Sequence, residues 1–183
     1  MTRSLGLQSV ELVLDPVTDA AVRQQWAVLA DAGLPSQADH AGASNRPHIT
    51  LSVAATVPDT AERALPDVAT SLPVGVRLGG LVVFGGSRRR VVARLVVPTA
   101  ELLALHAAVA AVTARGADPA DRTAVGRWTP HVTLARGLAD EEVGRALAEL
   151  GRITDHEGQA VRVRRWDGVA RREWAVGPPT PVP

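Results

Sequence analysis

A five-residue phrase occurs twice in this chain, and no other feature limits its fold as strongly. Residues 47–51 read Pro47-His48-Ile49-Thr50-Leu51, and residues 130–134 read Pro130-His131-Val132-Thr133-Leu134. Two copies of P-H-[ILV]-T-L about 80 residues apart exceed what the residue frequencies of this chain supply by chance, so the chain reads as an internal duplication. Each copy alternates like a strand, and each precedes a segment of helical periodicity. On a strand, positions i and i+2 share a face. His48 therefore projects with Thr50, and His131 with Thr133, while Ile49, Leu51, Val132 and Leu134 face an apolar layer.

The segments around the two phrases fit the duplication. A strand is predicted over Leu5–Leu14, then a helix carrying Val22, Trp26 and Leu29 and stopped by Gly33 and Pro35. After a polar loop at 35–46 come the strand Pro47–Ala54 and a helix from Asp59 with Ala61, Leu65, Val68 and Leu72, closed by Pro73. Strands Val74–Phe84 and Val91–Val97, joined by GGSRRR, lead to a helix capped by Thr99, carrying Leu102, Leu105, Val109 and Val112, and ending at Gly116. The strand Trp128–Ala135, a helix with Val143, Leu147 and Leu150, and a hairpin about Asp167-Gly168 complete the order. Helices and strands in the order β-α-β-α-β, twice, predict a duplicated α+β fold with mostly antiparallel pairing. One domain spans 1–183: a first lobe at about 1–84, a second at about 85–176, and a loose tail at 177–183.

Several function classes are excluded. With no cysteine in 183 residues, disulfide scaffolds, thiolate zinc sites and cysteine nucleophiles are absent. Neither G-x-G-x-x-G after the first strand nor G-x-x-x-x-G-K-[ST] occurs, and the sequence around Ser44 does not complete G-x-S-x-G. No third metal ligand stands at helical or hairpin spacing to either motif histidine. A net charge of +1 means that any bound anion must be held locally, not by a general basic field. No apolar run approaches the roughly 18 residues of a membrane span, and no signal peptide is evident, so a cytoplasmic protein with no membrane partner is predicted.

The four repeated side chains imply acid–base work on a tetrahedral anion. Histidine titrates near neutrality, so of two rings facing one group, one can accept a proton while the other gives one. Threonine hydroxyls can donate to the non-bridging oxygens. The plainer reading, two histidines satisfied in a core, fits either copy alone but not the matched pair with matched threonines. His106 reads as packing or helix surface, His40 and His156 as solvated loop residues, and Trp26, Trp166 and Trp174 as structural. Phe84 and Trp128, the aromatics nearest the motifs, are core residues or base contacts. Arg88, Arg89 and Arg90 form a basic hairpin tip that is either solvated or in contact with an RNA backbone.

Two H-x-T motifs in duplicated halves, together with LGGLVVFGGSRRRVVARLVV, ELLALHAAVAAV and HVTLARG, resemble the 2H phosphoesterase superfamily, in its 2'-5' RNA ligase-like branch. The resemblance covers nearly the whole chain. It implies a bilobal α+β body with two mostly antiparallel sheets around a central cleft and helices outside. It implies opening of 2',3'-cyclic phosphates on RNA ends or nucleotides, without metal or other cofactor, and a monomer is expected. By resemblance His48 is the acid, His131 the base, Thr50 and Thr133 bind the phosphate, and Arg136, three positions beyond the second Thr, joins them. The flank PHITLSVAATVPD departs from the family's aromatic-Leu-Gly ending, which bears on the substrate and not on the chemistry. Pseudo-symmetry alone does not say which histidine is acid. A different cyclic phosphate, a 2'-5' RNA linkage, or a non-catalytic module that holds a nucleotide or RNA end are the alternatives.

Overall fold

The computed structural model describes residues 6–85, 89–114 and 120–177. Seven strands and four helices alternate: β1 (Gln8–Leu14), α1 (Pro16–Asp31), β2 (His48–Ala54), α2 (Asp59–Ala69), β3 (Val74–Gly85), β4 (Arg90–Val96), α3 (Ala100–Thr113), β5 (His131–Leu138), α4 (Asp140–Leu150), β6 (His156–Asp167) and β7 (Arg172–Val176). The fold is α+β, and every strand pairing is antiparallel.

The strands lie in the order β2-β1-β6-β3-β4-β5, with β7 paired to β6. The duplication is visible as two β-α-β-α-β units, β1 to β3 and β4 to β6, but the third strand of each unit is exchanged. β3 pairs with β4 of the second unit, and β6 pairs with β1 of the first. Sequence halves and spatial halves therefore differ. The β3–β6 ladder, Val74↔Ala160 to Leu78↔His156, joins the two antiparallel halves into one hydrogen-bonded sheet. This sheet curls until its terminal strands, β2 and β5, approach each other, which brings the two H-x-T strands together.

The inward face is apolar where the alternation predicted it: Ile49, Leu51, Val132 and Leu134 are all fully buried. Helices cover this layer in a crossed arrangement. α3 packs against β2 and α2, and α1 packs against β5 and α4, so the first helix of each unit supports the motif strand of the other. Asp15 caps α1 by accepting from the amides of Val17 and Thr18, and Thr99 caps α3 by accepting from Leu102.

Trp26 ties α1 to the second motif. Its indole N–H donates to the Thr133 carbonyl at 3.0 Å, and the ring is buried. Trp128 does the reciprocal service, donating to the Thr50 carbonyl at 2.8 Å. Both motif strands are terminal in the sheet, and the indoles supply donors that no further strand provides. Trp26→Phe keeps the aromatic body and removes the donor, and should cost about 1–3 kcal/mol in denaturant unfolding through the unpaired carbonyl.

Some boundaries differ from the sequence reading, each for a local reason. β5 begins at His131 and not at Trp128, because Pro130 has no N–H to pair, and it runs on to Leu138 because β4 continues opposite it to Arg90. α2 stops at Ala69, where the amides of Thr70, Ser71 and Leu72 turn to carbonyls three residues back. On α4 the buried residue is Ala146, while Leu147 is exposed. The Asp-Gly hairpin uses a four-residue loop, with Asp167 accepting from the amides of Val169 and Ala170. Gly168 allows that loop to meet the N-terminal segment, since a Cβ there would stand 2.5 Å from the Leu7 carbonyl oxygen. Gly116 and the tail from 178 lie outside the described residues. No described helix is long and apolar enough to cross a membrane.

Candidate active site

Between the motif strands lies a cleft of about 700 Å³ lined by His48, Thr50, His131 and Arg136, with Phe84, Trp128 and Trp166 among its walls. That volume suits a nucleotide, not a phosphate group alone. Thr133 sits just behind the surface, and its hydroxyl accepts from Arg136 Nη2 at 3.1 Å. The five residues singled out by the repeat and the resemblance are thus brought together.

Both histidines are held in the same way. The Arg46 carbonyl lies 2.8 Å from His48 Nδ1, and the Thr129 carbonyl lies 2.7 Å from His131 Nδ1. A carbonyl can only accept, so Nδ1 carries the proton in each ring and Nε2 is left for the cleft. The duplication therefore reproduces a tautomer as well as a position.

A second symmetric feature explains Arg136. In an unbroken strand, a residue three beyond Thr133 would point to the opposite face. The β4–β5 ladder pairs Ala93 with Thr133 and Val92 with Ala135, so Leu134 is an extra residue and the strand bulges there. This bulge turns Arg136 back to the cleft. In the first unit, β1 pairs Glu11 with Thr50 and Val10 with Ser52, leaving Leu51 as the matching bulge. The residue turned inward there is Val53, which also lines the cleft. One arginine results, not two.

The electrostatics break the symmetry. Burial pushes the His131 pKa below the ordinary histidine value, and the charges of Arg136, His48 and Arg122 add to this against the hydrogen bond to Thr129. His131 is therefore disposed to be neutral. His48 faces a carboxylate instead: Glu11 Oε1 lies 3.7 Å from its Nε2. Burial raises the Glu11 pKa, but the charges of His48 and Arg164 and hydrogen bonds from Ser9 and Arg164 outweigh it and hold the carboxyl below its usual range. Such a pair can take a proton at one ring and deliver one from the other. Among the described residues, no group of three His, Cys, Asp or Glu side chains could hold a metal ion.

A family model for the 2'-5' RNA ligase superfamily matches residues 16–171. The chain belongs to the 2'-5' RNA ligase superfamily. Membership of this group of phosphoesterases and ligases supports an enzyme that acts on phosphodiester bonds. Solved structures share the fold of this superfamily member. Kluyveromyces marxianus Usb1 is 17% identical with a TM-score of 0.56, covering 95% of this chain and 99% of its own. A second structure of Usb1, with uridine monophosphate, is 14% identical with a TM-score of 0.50, covering 96% of this chain and 100% of its own. Escherichia coli LigT complexed with 3'-AMP is 19% identical with a TM-score of 0.52, covering 93% and 97%. No curated protein matches the chain significantly.

Within the superfamily framework, the remaining sequence expectations divide. Phe84 reaches the cleft, its ring 4.5 Å from that of His131. Trp128 lines it with His106 stacked behind, ring centroids 4.0 Å apart and planes within 4°, so the buried His106 is a packing residue. Arg89 donates to the Gly137 carbonyl and Arg90 pairs with Asp140, placing both at the β5–α4 junction and not among the residues that line the cleft. Arg88 lies outside the described residues. His156 is not a solvated loop residue: it opens β6 and lies 3.2 Å from Thr18 Oγ1. Trp166, read as structural, lines the cleft, as do Arg122 and Glu11, which sequence reasoning did not select. For Glu11 the signal was present as a lone carboxylate in an otherwise buried strand.

Proposed function

We propose that the protein is a metal-independent phosphodiesterase that hydrolyses the 2',3'-cyclic phosphate of an RNA end or nucleotide to a monoester. The convergence of His48 and His131 in one cleft, both with Nδ1 engaged and Nε2 available, carries this reading. Water attacks phosphorus as His131 Nε2 removes its proton. The phosphorus–oxygen bond to one ribose oxygen breaks, and that oxygen takes the proton from His48 Nε2. The two rings end with their protonation states exchanged, and solvent restores them. Thr50, Thr133 and Arg136 stabilise the charge that develops on the non-bridging oxygens. Phe84 and Trp128 offer flat faces to the base, Trp128 being fixed by His106 behind it and by its bond to Thr50. The ligands named in the LigT and Usb1 structures, 3'-AMP and uridine monophosphate, are monoesters of the kind this reaction concerns.

The test is release of a 2'- or 3'-phosphomonoester from a 2',3'-cyclic nucleotide. The rate should be unchanged by EDTA, and kcat/KM should be bell-shaped in pH. The acid limb should fall below the ordinary histidine range, because the base is His131, whose pKa is lowered. Loss of activity on chelation, restored by a divalent cation, contradicts the mechanism. Binding of a nucleotide monophosphate with no turnover of any cyclic phosphate favours a module that only holds RNA ends.

A further inference from the structure

The two motif strands occupy equivalent places in two units of the same element order, so each site residue has a counterpart in the other unit. Glu11 is the Cα partner of Thr50 in the β1–β2 ladder, and Ala93 is the partner of Thr133 in the β4–β5 ladder. A carboxylate beside the first histidine thus corresponds to a methyl group beside the second. We infer that Glu11 is a positioning residue that keeps His48 protonated and its Nε2–H in place as the proton donor, and that its lack of a counterpart makes the two histidines unequal. This rests on the acid–base assignment proposed above.

Geometry supports it. With the Nδ1 proton donated to Arg46, a neutral His48 would turn a bare Nε2 lone pair toward the Glu11 carboxylate 3.7 Å away, whereas an imidazolium turns an N–H toward it. Glu11 cannot swing aside. It is buried, Oε1 accepts from Ser9 Oγ at 2.6 Å, and Oε2 accepts from Arg164 Nε at 2.7 Å. Arg164 is itself buried and pairs with Glu173 on β7, and Glu173 pairs with Arg46 at 2.9 Å. Two carboxylates and two guanidiniums thus alternate in a chain from Glu11 to Arg46, and His48 stands beside its Glu11 end.

The other charges facing His48 work against its protonation. Arg164 Nη2 stands 3.3 Å from Nδ1, and because that nitrogen already donates to Arg46, the contact is charge against ring and not a hydrogen bond. From β5, His131 and Arg136 face the same cleft, and from the turn before it Arg122 does so too, while Arg127 is paired with Asp121. His106, on α3 against β2, lies behind Trp128. Glu11 is the carboxylate in the cleft wall that opposes this positive field. A carboxylate at such range favours the charged form of the ring.

The experiment follows the histidine rings by NMR across pH, with His48 and His131 assigned by substitution. In Glu11→Gln the His48 midpoint should fall by about one pH unit or more, while His131 moves much less. An unchanged His48 midpoint, or equal movement of both rings, overturns the inference. Because Glu11 is buried, its loss could compromise folding, so the reciprocal measurement uses the partly exposed partner: in His48→Gln the Glu11 carboxyl carbon should titrate at higher pH than in wild type, as linkage requires. Coincident Glu11 titrations overturn the inference equally. In the kcat/KM profile, Glu11→Gln should move the alkaline limb down and leave the acid limb in place. The ring titrations need no substrate, so a protein that hydrolyses no cyclic phosphate but shows the His48 shift refutes the proposed reaction and not the coupling.

Discussion

Alanine at either His48 or His131 should lower turnover of a 2',3'-cyclic nucleotide by about 10²–10⁴-fold, the usual contribution of a positioned proton-transfer group. The two losses should not multiply. Proton removal from water and proton delivery to the leaving oxygen belong to one displacement at phosphorus, so a protein lacking one partner has little for the other to add, and the double variant should be only slightly worse than the worse single one. Thr50→Val and Thr133→Val remove hydroxyl donors while preserving strand shape, and should slow turnover less than the histidine changes. The ring positions depend on backbone carbonyls two residues upstream, Arg46 and Thr129, and not on the other ring, so each single variant should leave its partner oriented. Steady-state kinetics with thermal unfolding as control checks this. Single variants that retain near-wild-type hydrolysis remove the enzymatic reading.

The part of this site that a sequence can display is the part set by local periodicity. A phrase of five residues states which side chains share a strand face, so His48 with Thr50 and His131 with Thr133 were legible, as was the apolar layer of Ile49, Leu51, Val132 and Leu134. The helices that carry Trp26 and His106 were legible from their spacing, and the first also from its stop at Gly33. Long-range pairing was not. The GGSRRR hairpin tip placed Val74–Gly85 beside β4, but nothing local says that it also lies beside β6, and it is this exchange that curls one sheet until β2 meets β5. Trp166, a cleft residue contributed by distant pairing, was hidden for that reason, whereas Glu11 stood out only as a carboxylate within a buried strand. For the basic run at 88–90 the sequence left a solvated turn and an RNA contact both open, and only tertiary pairing shows that Arg89 and Arg90 are engaged by Gly137 and Asp140 beside the start of α4.

Arg136 shows how a backbone irregularity turns a strand residue into a cleft, where its charge can meet a phosphate. The bulge at Leu134 brings its guanidinium to the cleft, where Nη2 donates to the Thr133 hydroxyl. With that oxygen accepting from Arg136, the hydroxyl proton of Thr133 is directed elsewhere, and a bound phosphoryl oxygen can take it together with the remaining guanidinium donors. Arg136→Ala should therefore remove two contributions at once, its own charge and the orientation of Thr133. Loss of a single preorganised donor to a developing oxyanion costs about 10²–10³-fold, and kcat/KM should fall by at least that factor. Affinity for a product-like nucleotide monoester should fall as well, because the same charge meets the phosphate before and after the reaction. Arg136→Lys restores the charge but not the planar fork, and should recover monoester binding better than turnover. The matching bulge at Leu51 presents Val53 instead, so an arginine lines one side of the cleft and a hydrocarbon side chain the other. This asymmetry places the cationic grip beside His131, whose neutral form it favours. Arg136→Ala should thus also raise the His131 titration midpoint, measured by ring NMR without substrate. A variant that lost turnover with unchanged monoester affinity and an unchanged His131 titration would show that Arg136 holds neither the phosphate nor the base.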